Sequence, residues 1–176
     1  MRIEAHFTKH QLAAVGGRQH GTQAPCHIEA SCQNARRTGG AERFADLPAP
    51  GLVLITDIHG DHLNKETLQG LDLSEAHLIA PQAVADELDG VSFKNIQVLA
   101  NGEQTTWNGI TIEALPMYNL PETEDSRHPK GRGNGYLLTI AGKRLYLSGD
   151  TEDIPEMRQR RDIDAAFLCM NLPYTM

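Results

Sequence analysis

Two aspartates and two histidines crowd into Asp57-Ile58-His59-Gly60-Asp61-His62, directly after the apolar run Leu52-Val53-Leu54-Ile55. Imidazole and carboxylate donors at this density suit a divalent ion such as Zn, Mn or Fe, and Gly60 lets the chain bend around one. If the segment is locally extended, Asp57, His59 and Asp61 project to one side, and His62 adds an imidazole beside the last carboxylate. The competing reading, an exposed polar loop after a strand, leaves that concentration of donors unexplained. A second signal is Ser148-Gly149-Asp150-Thr151, where an aspartate leaves an apolar strand after a glycine, as a carboxylate bridging two ions would. Taken alone it is also ordinary turn chemistry. The third is His128, at the head of His128-Pro129-Lys130-Gly131-Arg132-Gly133-Asn134-Gly135. Its glycines suggest a phosphate cradle, but no Gly-Lys-Ser/Thr follows and the segment enters a strand rather than a helix. His128 therefore stands as a further candidate ligand, against the alternative of a solvated loop histidine.

Other reactive side chains have simpler explanations. His20, Cys26, His27 and Cys32 match no standard zinc spacing and lack flanking elements to hold them. Cys169 reads as a small buried hydrophobe at the end of a strand. Tyr118 could contact a substrate, but a half-buried strand-end tyrosine explains it as well. Glu122, Glu124 and Asp125 read as a solvated loop.

The elements that must position these residues follow from pattern. Leu52 to Thr56 reads as a strand covered on both faces. Asn64 caps a short helix to Leu71. His77 to Ala80 and Ile96 to Leu99 are strands, and between them Pro81 opens a helix that Gly90 ends. Thr105 to Trp107 and Ile110 to Leu115, joined by Asn108-Gly109, spell a hairpin with a type I′ turn. Asn119 to Asn134 is a loop. Tyr136 to Ile140 and Arg144 to Leu147 form a second hairpin through Ala141-Gly142-Lys143, followed by a helix over 154–160 and a strand from Ala165 to Cys169. Strands mixed with short helices and hairpins predict an α/β layer structure.

The chain has 176 residues, one domain's worth, with a net charge of −7. Residues 1–40 carry +3 and the rest −10, and so acidic a body argues against nucleic acid as a partner. Three cysteines make a disulfide framework unlikely, and no apolar run approaches the ~20 residues of a membrane span. A cytoplasmic protein acting on a small molecule is the expectation, with oligomeric state open. Residues 1–40 show few large apolar side chains and no clear period, so a poorly ordered segment is expected there and a folded domain over 41–176.

Together, Asp57-x-His59-x-Asp61-His62, His128 and Ser148-Gly149-Asp150-Thr151 resemble the metallo-β-lactamase superfamily. Pro116-Met117-Tyr118-Asn119, His128-Pro129-Lys130-Gly131 and Gly149-Asp150-Thr151-Glu152-Asp153-Ile154-Pro155 are most similar to its lactonase-like and N-acyl-phosphatidylethanolamine phospholipase D-like branch. The resemblance implies an αββα sandwich with one or two divalent ions (Zn, Mn or Fe). Asp57, His59 and His128 would hold the first ion, Asp61 and His62 the second, and Asp150 would bridge. It implies a hydrolase that attacks an ester, lactone or phosphodiester through a metal-bound hydroxide, with Asp61 also orienting the attacking water.

The chain departs from the family pattern at Asp57, where family members usually carry histidine; the added charge tilts preference toward Mn or Fe. Family members also open with paired strands that residues 1–40 do not signal, and continue past the Met170-Asn171-Leu172-Pro173-Tyr174 segment to a ligand histidine. The domain is thus expected to be incomplete at both ends, with a weak second ion, low activity and an exposed sheet edge at Ala165 to Cys169. The alternatives are a non-catalytic remnant holding at most one metal and a metal-free interaction module.

Overall fold

The computed structural model describes residues 40–169 in full and, before them, the backbone of three strands. The chain divides into two compact units, Met1–Ala80 with Val84–Val98, and Pro81–Ala83 with Leu99–Met176. Each is built on one sheet.

In the first unit the strands are β1 (Ile3–Phe7), β2 (Ala13–Gly16), β3 (Cys26–Ala30), β4 (Leu52–Leu54), β5 (His77–Ala80) and β6 (Asn95–Val98). They lie in the order β1-β3-β2-β4-β5-β6. β4, β5 and β6 run parallel, which requires crossovers; these carry α1 (Lys65–Gln69) and α2 (Gln82–Ala85). All three residues of β4 are buried, as its unbroken apolar run requires. Val53 and Ile55 pack with Leu63, Leu68, Leu78 and Val84 in one core. Asn64 caps α1 as expected, accepting the Thr67 N–H at 2.8 Å.

In the second unit β7 (Gln104–Trp107), β8 (Ile110–Met117), β9 (Gly133–Ile140) and β10 (Lys143–Leu147) form an antiparallel meander. The short helix α3 (Pro155–Arg158) leads to β11 (Ala165–Phe167), parallel to β10 at one end of this sheet. Asn108 (φ 45°) and Gly109 (φ 80°) both adopt left-handed backbone, the signature of the expected I′ turn. Two amides brace the sheet. Buried Asn134 donates to the Leu99 carbonyl at 2.8 Å, and Asn101 donates to Asn134 Oδ1 at 2.7 Å.

Three expectations change. The α2 helix is four residues, not a run to Gly90, because Asp86, Glu87 and Asp89 crowd its C-terminal end, where the helix dipole disfavours negative charge. The second hairpin turns on two residues, Ala141 and Gly142, both at positive φ, so Lys143 already belongs to β10. No strand was expected before Gly40, yet the backbone carries three. Ile3-Glu4-Ala5-His6-Phe7 and Cys26-His27-Ile28-Glu29-Ala30 do alternate, but over only five residues and with small residues on the apolar side. A count of large side chains overlooks that pattern. The remaining positions of the expected poorly ordered segment lie outside the described residues, as do the His20 and Cys32 of the weighed zinc site.

Candidate metal centre

The first donor cluster hangs from the end of β4. Asp57 is fully buried, and its Oδ2 lies 3.4 Å from His59 Nδ1. The expected extended run stops at His59, whose carbonyl accepts from both His62 N (2.8 Å) and Leu63 N (2.7 Å). This turn, made across Gly60, overturns the simple alternation of side chains. Its consequence is chemical: His62 folds back into the interior, buried to 3% exposure, with Nδ1 2.6 Å from Thr56 Oγ1. Its other nitrogen, Nε2, is then the one turned toward Asp61 Oδ2, at 3.8 Å. Asp61 is the most exposed of the four, at 39%.

The second cluster belongs to the other sheet. His128 closes the loop between β8 and β9 and is buried. Its Nδ1 meets Asn119 Oδ1 at 2.9 Å, and its Nε2 lies 3.3 Å from Asp150 Oδ2. Asp150 is delivered by the turn after β10, where Gly149 sits at φ 64°. A Cβ on Gly149 would stand 2.5 Å from Met117 Sδ and 3.1 Å from the Asn134 carbonyl, so the turn disfavours any side chain there.

All six residues expected from the sequence thus fall into three histidine–aspartate pairs: Asp57 with His59, Asp61 with His62, and His128 with Asp150. Sequence reading missed two residues, Thr56 and Asn119, whose oxygens hold the rings of His62 and His128. Thr56 stood beside the motif and could have been suspected. Asn119 is nine positions from His128 and gave no signal of its own.

Tyr118 is not a half-buried strand end but fully interior, at 2% exposure. Its hydroxyl donates to Glu156 Oε2 at 2.8 Å, and the Lys130 ammonium sits 4.4 Å from its ring centroid. Burial and the Glu156 bond hold the Tyr118 phenol above the usual tyrosine range, so it is neutral at neutral pH. Burial pushes the Glu156 carboxyl up, but its backbone N–H, Tyr118 and Lys130 outweigh that and hold it below the ordinary glutamate value. A carboxyl depressed in the folded state stabilises above its unfolded value of 4.5, and the contribution is lost as pH falls through the folded value. Glu156→Gln should therefore lose stability at neutral pH and show a flatter decline on acidification than the parent. Urea midpoints at neutral pH and at about pH 4 measure this; parallel curves would contradict it.

Cys169 is half-buried just past β11, and it is hydrogen bonded rather than merely packed. Its Sγ donates to the Thr151 carbonyl at 3.2 Å and accepts from the Thr151 N–H at 3.4 Å. Burial pushes its thiol up, so it is protonated and a poor nucleophile at neutral pH. No helix among the described residues is long and apolar enough to cross a membrane.

Comparison with known proteins identifies the family. Residues 27–172 match the family model described as the beta-lactamase superfamily domain. A UPF0173 metal-dependent hydrolase of Pyrococcus abyssi is 26% identical over 148 residues, covering 81% of this chain and 63% of that protein. One from Alkaliphilus metalliredigens is 30% identical over 139 residues, covering 76% and 59%. A crystal structure of a putative metal-dependent hydrolase from Parabacteroides distasonis superimposes with a TM-score of 0.67 at 42% identity, over 76% of this chain and 59% of that one. Igni18, a metallo hydrolase from Ignicoccus hospitalis, shares the fold at 22% identity and a TM-score of 0.52. The chain spans about three fifths of the length of the curated relatives it matches. With most of its length covered by one family model, the chain belongs to the β-lactamase superfamily, and its α/β fold is of the metallo-β-lactamase type.

Proposed function

We propose that the protein is a metal-dependent hydrolase acting on an ester, lactone or phosphodiester. In this reading Asp57, His59 and His128 would serve one ion and Asp61 and His62 the other, with Asp150 as the bridge. The observation that carries this reading is the way two buried imidazoles are held. His62 and His128 each have Nδ1 engaged by a neutral oxygen, of Thr56 and Asn119, and each turns Nε2 toward an aspartate. Histidines that ligate metals are held in this way, the second nitrogen anchoring the ring while the first faces the ion. The donor types fit Zn, Mn or Fe, and the extra carboxylate at Asp57 shifts the balance toward the harder ions.

Divalent ions bound by these residues would supply Lewis acidity and lower the pKa of water. The chain's own part is to hold the donors and move the proton. Asp61 is the most exposed carboxylate of the set, so it can both face an ion and accept the proton of an attacking water as general base. The Asn119–Arg127 segment, which leads into His128, would select a small-molecule substrate. A cytoplasmic location belongs to the same proposal.

A panel of carboxylic esters, lactones and phosphodiesters, assayed with Mn or Zn added and after chelation, tests it. Turnover of at least one class that chelator abolishes and metal restores is expected. Bound metal without turnover of any class would favour the alternative, a non-catalytic relative holding one ion. Chelator-resistant turnover would place the chemistry elsewhere.

A further inference from the structure

We infer that Asn119 is a positioning residue that fixes the tautomer of His128 and so commits its Nε2 to a metal ion; the inference rests on the metal-centre reading. Two groups around the Asn119 amide have roles that admit no choice. The backbone N–H of His128 can only donate, and it lies 3.1 Å from one end of the Asn119 amide. That end must be the carbonyl oxygen. The opposite end approaches Glu152 Oε1 at 3.4 Å, and a carboxylate can only accept, so the NH2 belongs there. The amide orientation is fixed at both ends.

The imidazole then has no freedom either. Its Nδ1 lies 2.9 Å from the same Oδ1, an acceptor, and must carry hydrogen. The Ser126 hydroxyl adds a third donor to that oxygen at 3.3 Å. The Asn119 N–H donates in turn to the His128 carbonyl at 3.0 Å, so the two residues are clamped by backbone as well as side chain. In the neutral ring, Nδ1–H leaves the Nε2 lone pair facing Asp150 Oδ2 at 3.3 Å. A lone pair and a carboxylate turned on each other are reconciled by a cation between them, and a proton or a divalent ion meets that need; we assign the ion, because the same carboxylate stands in the proposed donor set.

The test uses the full chain, labelled with 15N in its histidines, and Zn as the probe. Long-range 1H–15N spectra recorded before Zn addition report which ring nitrogen of His128 is protonated, and competition with a chromophoric chelator reports affinity. The wild-type ring should be Nδ1–H. Asn119→Ala should release it to a mixture of tautomers and weaken Zn by about 10–100-fold. Asn119→Asp combined with Glu152→Gln keeps an acceptor toward His128 and a donor behind it, and should restore both readouts. An Nε2–H ring in the wild type overturns the inference even if the alanine variant fails to fold. So does unchanged affinity in that variant, or a double variant that folds without restoring Nδ1–H. Absence of Zn uptake by the wild type overturns the metal-centre reading and this inference with it; uptake that Asn119→Ala leaves unchanged overturns this inference alone.

Discussion

Alanine at both His59 and His62 is expected to leave the purified protein without stoichiometric divalent metal, as measured by elemental analysis after dialysis against metal-free buffer. Under the proposed grouping, Asp57 and His128 would remain for one ion, and only Asp61 and Asp150 for the other. Two carboxylates without an imidazole are a poor set for Zn, and one imidazole with one carboxylate leaves half the first coordination shell to water. The two single variants should differ in a way that reports their surroundings. His59 is 22% exposed, so in the proposed grouping its loss would remove a ligand at a smaller cost to the fold than the loss of His62. His62 is buried against Thr56, so its removal also leaves a buried hydroxyl without its ring partner, at a cost of about 1–3 kcal/mol. His59→Ala should therefore lose metal with nearly unchanged urea stability of the chelated protein, while His62→Ala loses both. Stoichiometric metal retained by the double variant would move the site elsewhere, the Cys26 and Cys32 region first.

How far the sequence could be read depended on the range of each interaction. The Asn108-Gly109 turn, the Asn64 cap and the buried run of β4 are each decided by a few neighbouring residues, and all three are found where expected. The six candidate donors were nominated from the same local signals, residue type and spacing. Their geometry was not. The turn at His59 depends on backbone hydrogen bonds from His62 and Leu63, and it replaces the extended alternation that spacing alone suggests. Asn119 reaches His128 nine positions away and Glu152 thirty-three away, a register set only when β8, β9 and β10 have paired. The first three strands escaped notice through brevity: β1 and β3 are five alternating residues with alanine or cysteine among them, and β2 is four small residues without alternation.

The sharpest separation between scaffold and chemistry is expected at two adjacent residues. Gly149→Ala should be among the most destabilising single changes in the second unit. Residue 149 sits at φ 64°, where a Cβ costs about 1–2 kcal/mol. The added methyl would also stand 2.5 Å from Met117 Sδ and 3.1 Å from the Asn134 carbonyl. The thioether can swing aside, but the carbonyl belongs to β9 and cannot, and overpacking of this kind costs a further ~1–3 kcal/mol. Asp150→Asn makes no such demand on the fold, because Asp150 is partly exposed and the amide is nearly isosteric. It removes the charge that faces His128 Nε2, so metal binding should fall while the urea midpoint of the metal-free protein hardly moves. Urea titration with and without metal distinguishes the two. Gly149→Ala should lower the midpoint in both conditions, and Met117→Ala added to it should recover only the part owed to the sulfur contact. Asp150→Asn should lose only the increment that metal confers on the parent. A Gly149→Ala protein as stable as the parent would mean that the turn can be rebuilt without positive φ, and that Asp150 is held by something other than the backbone that delivers it.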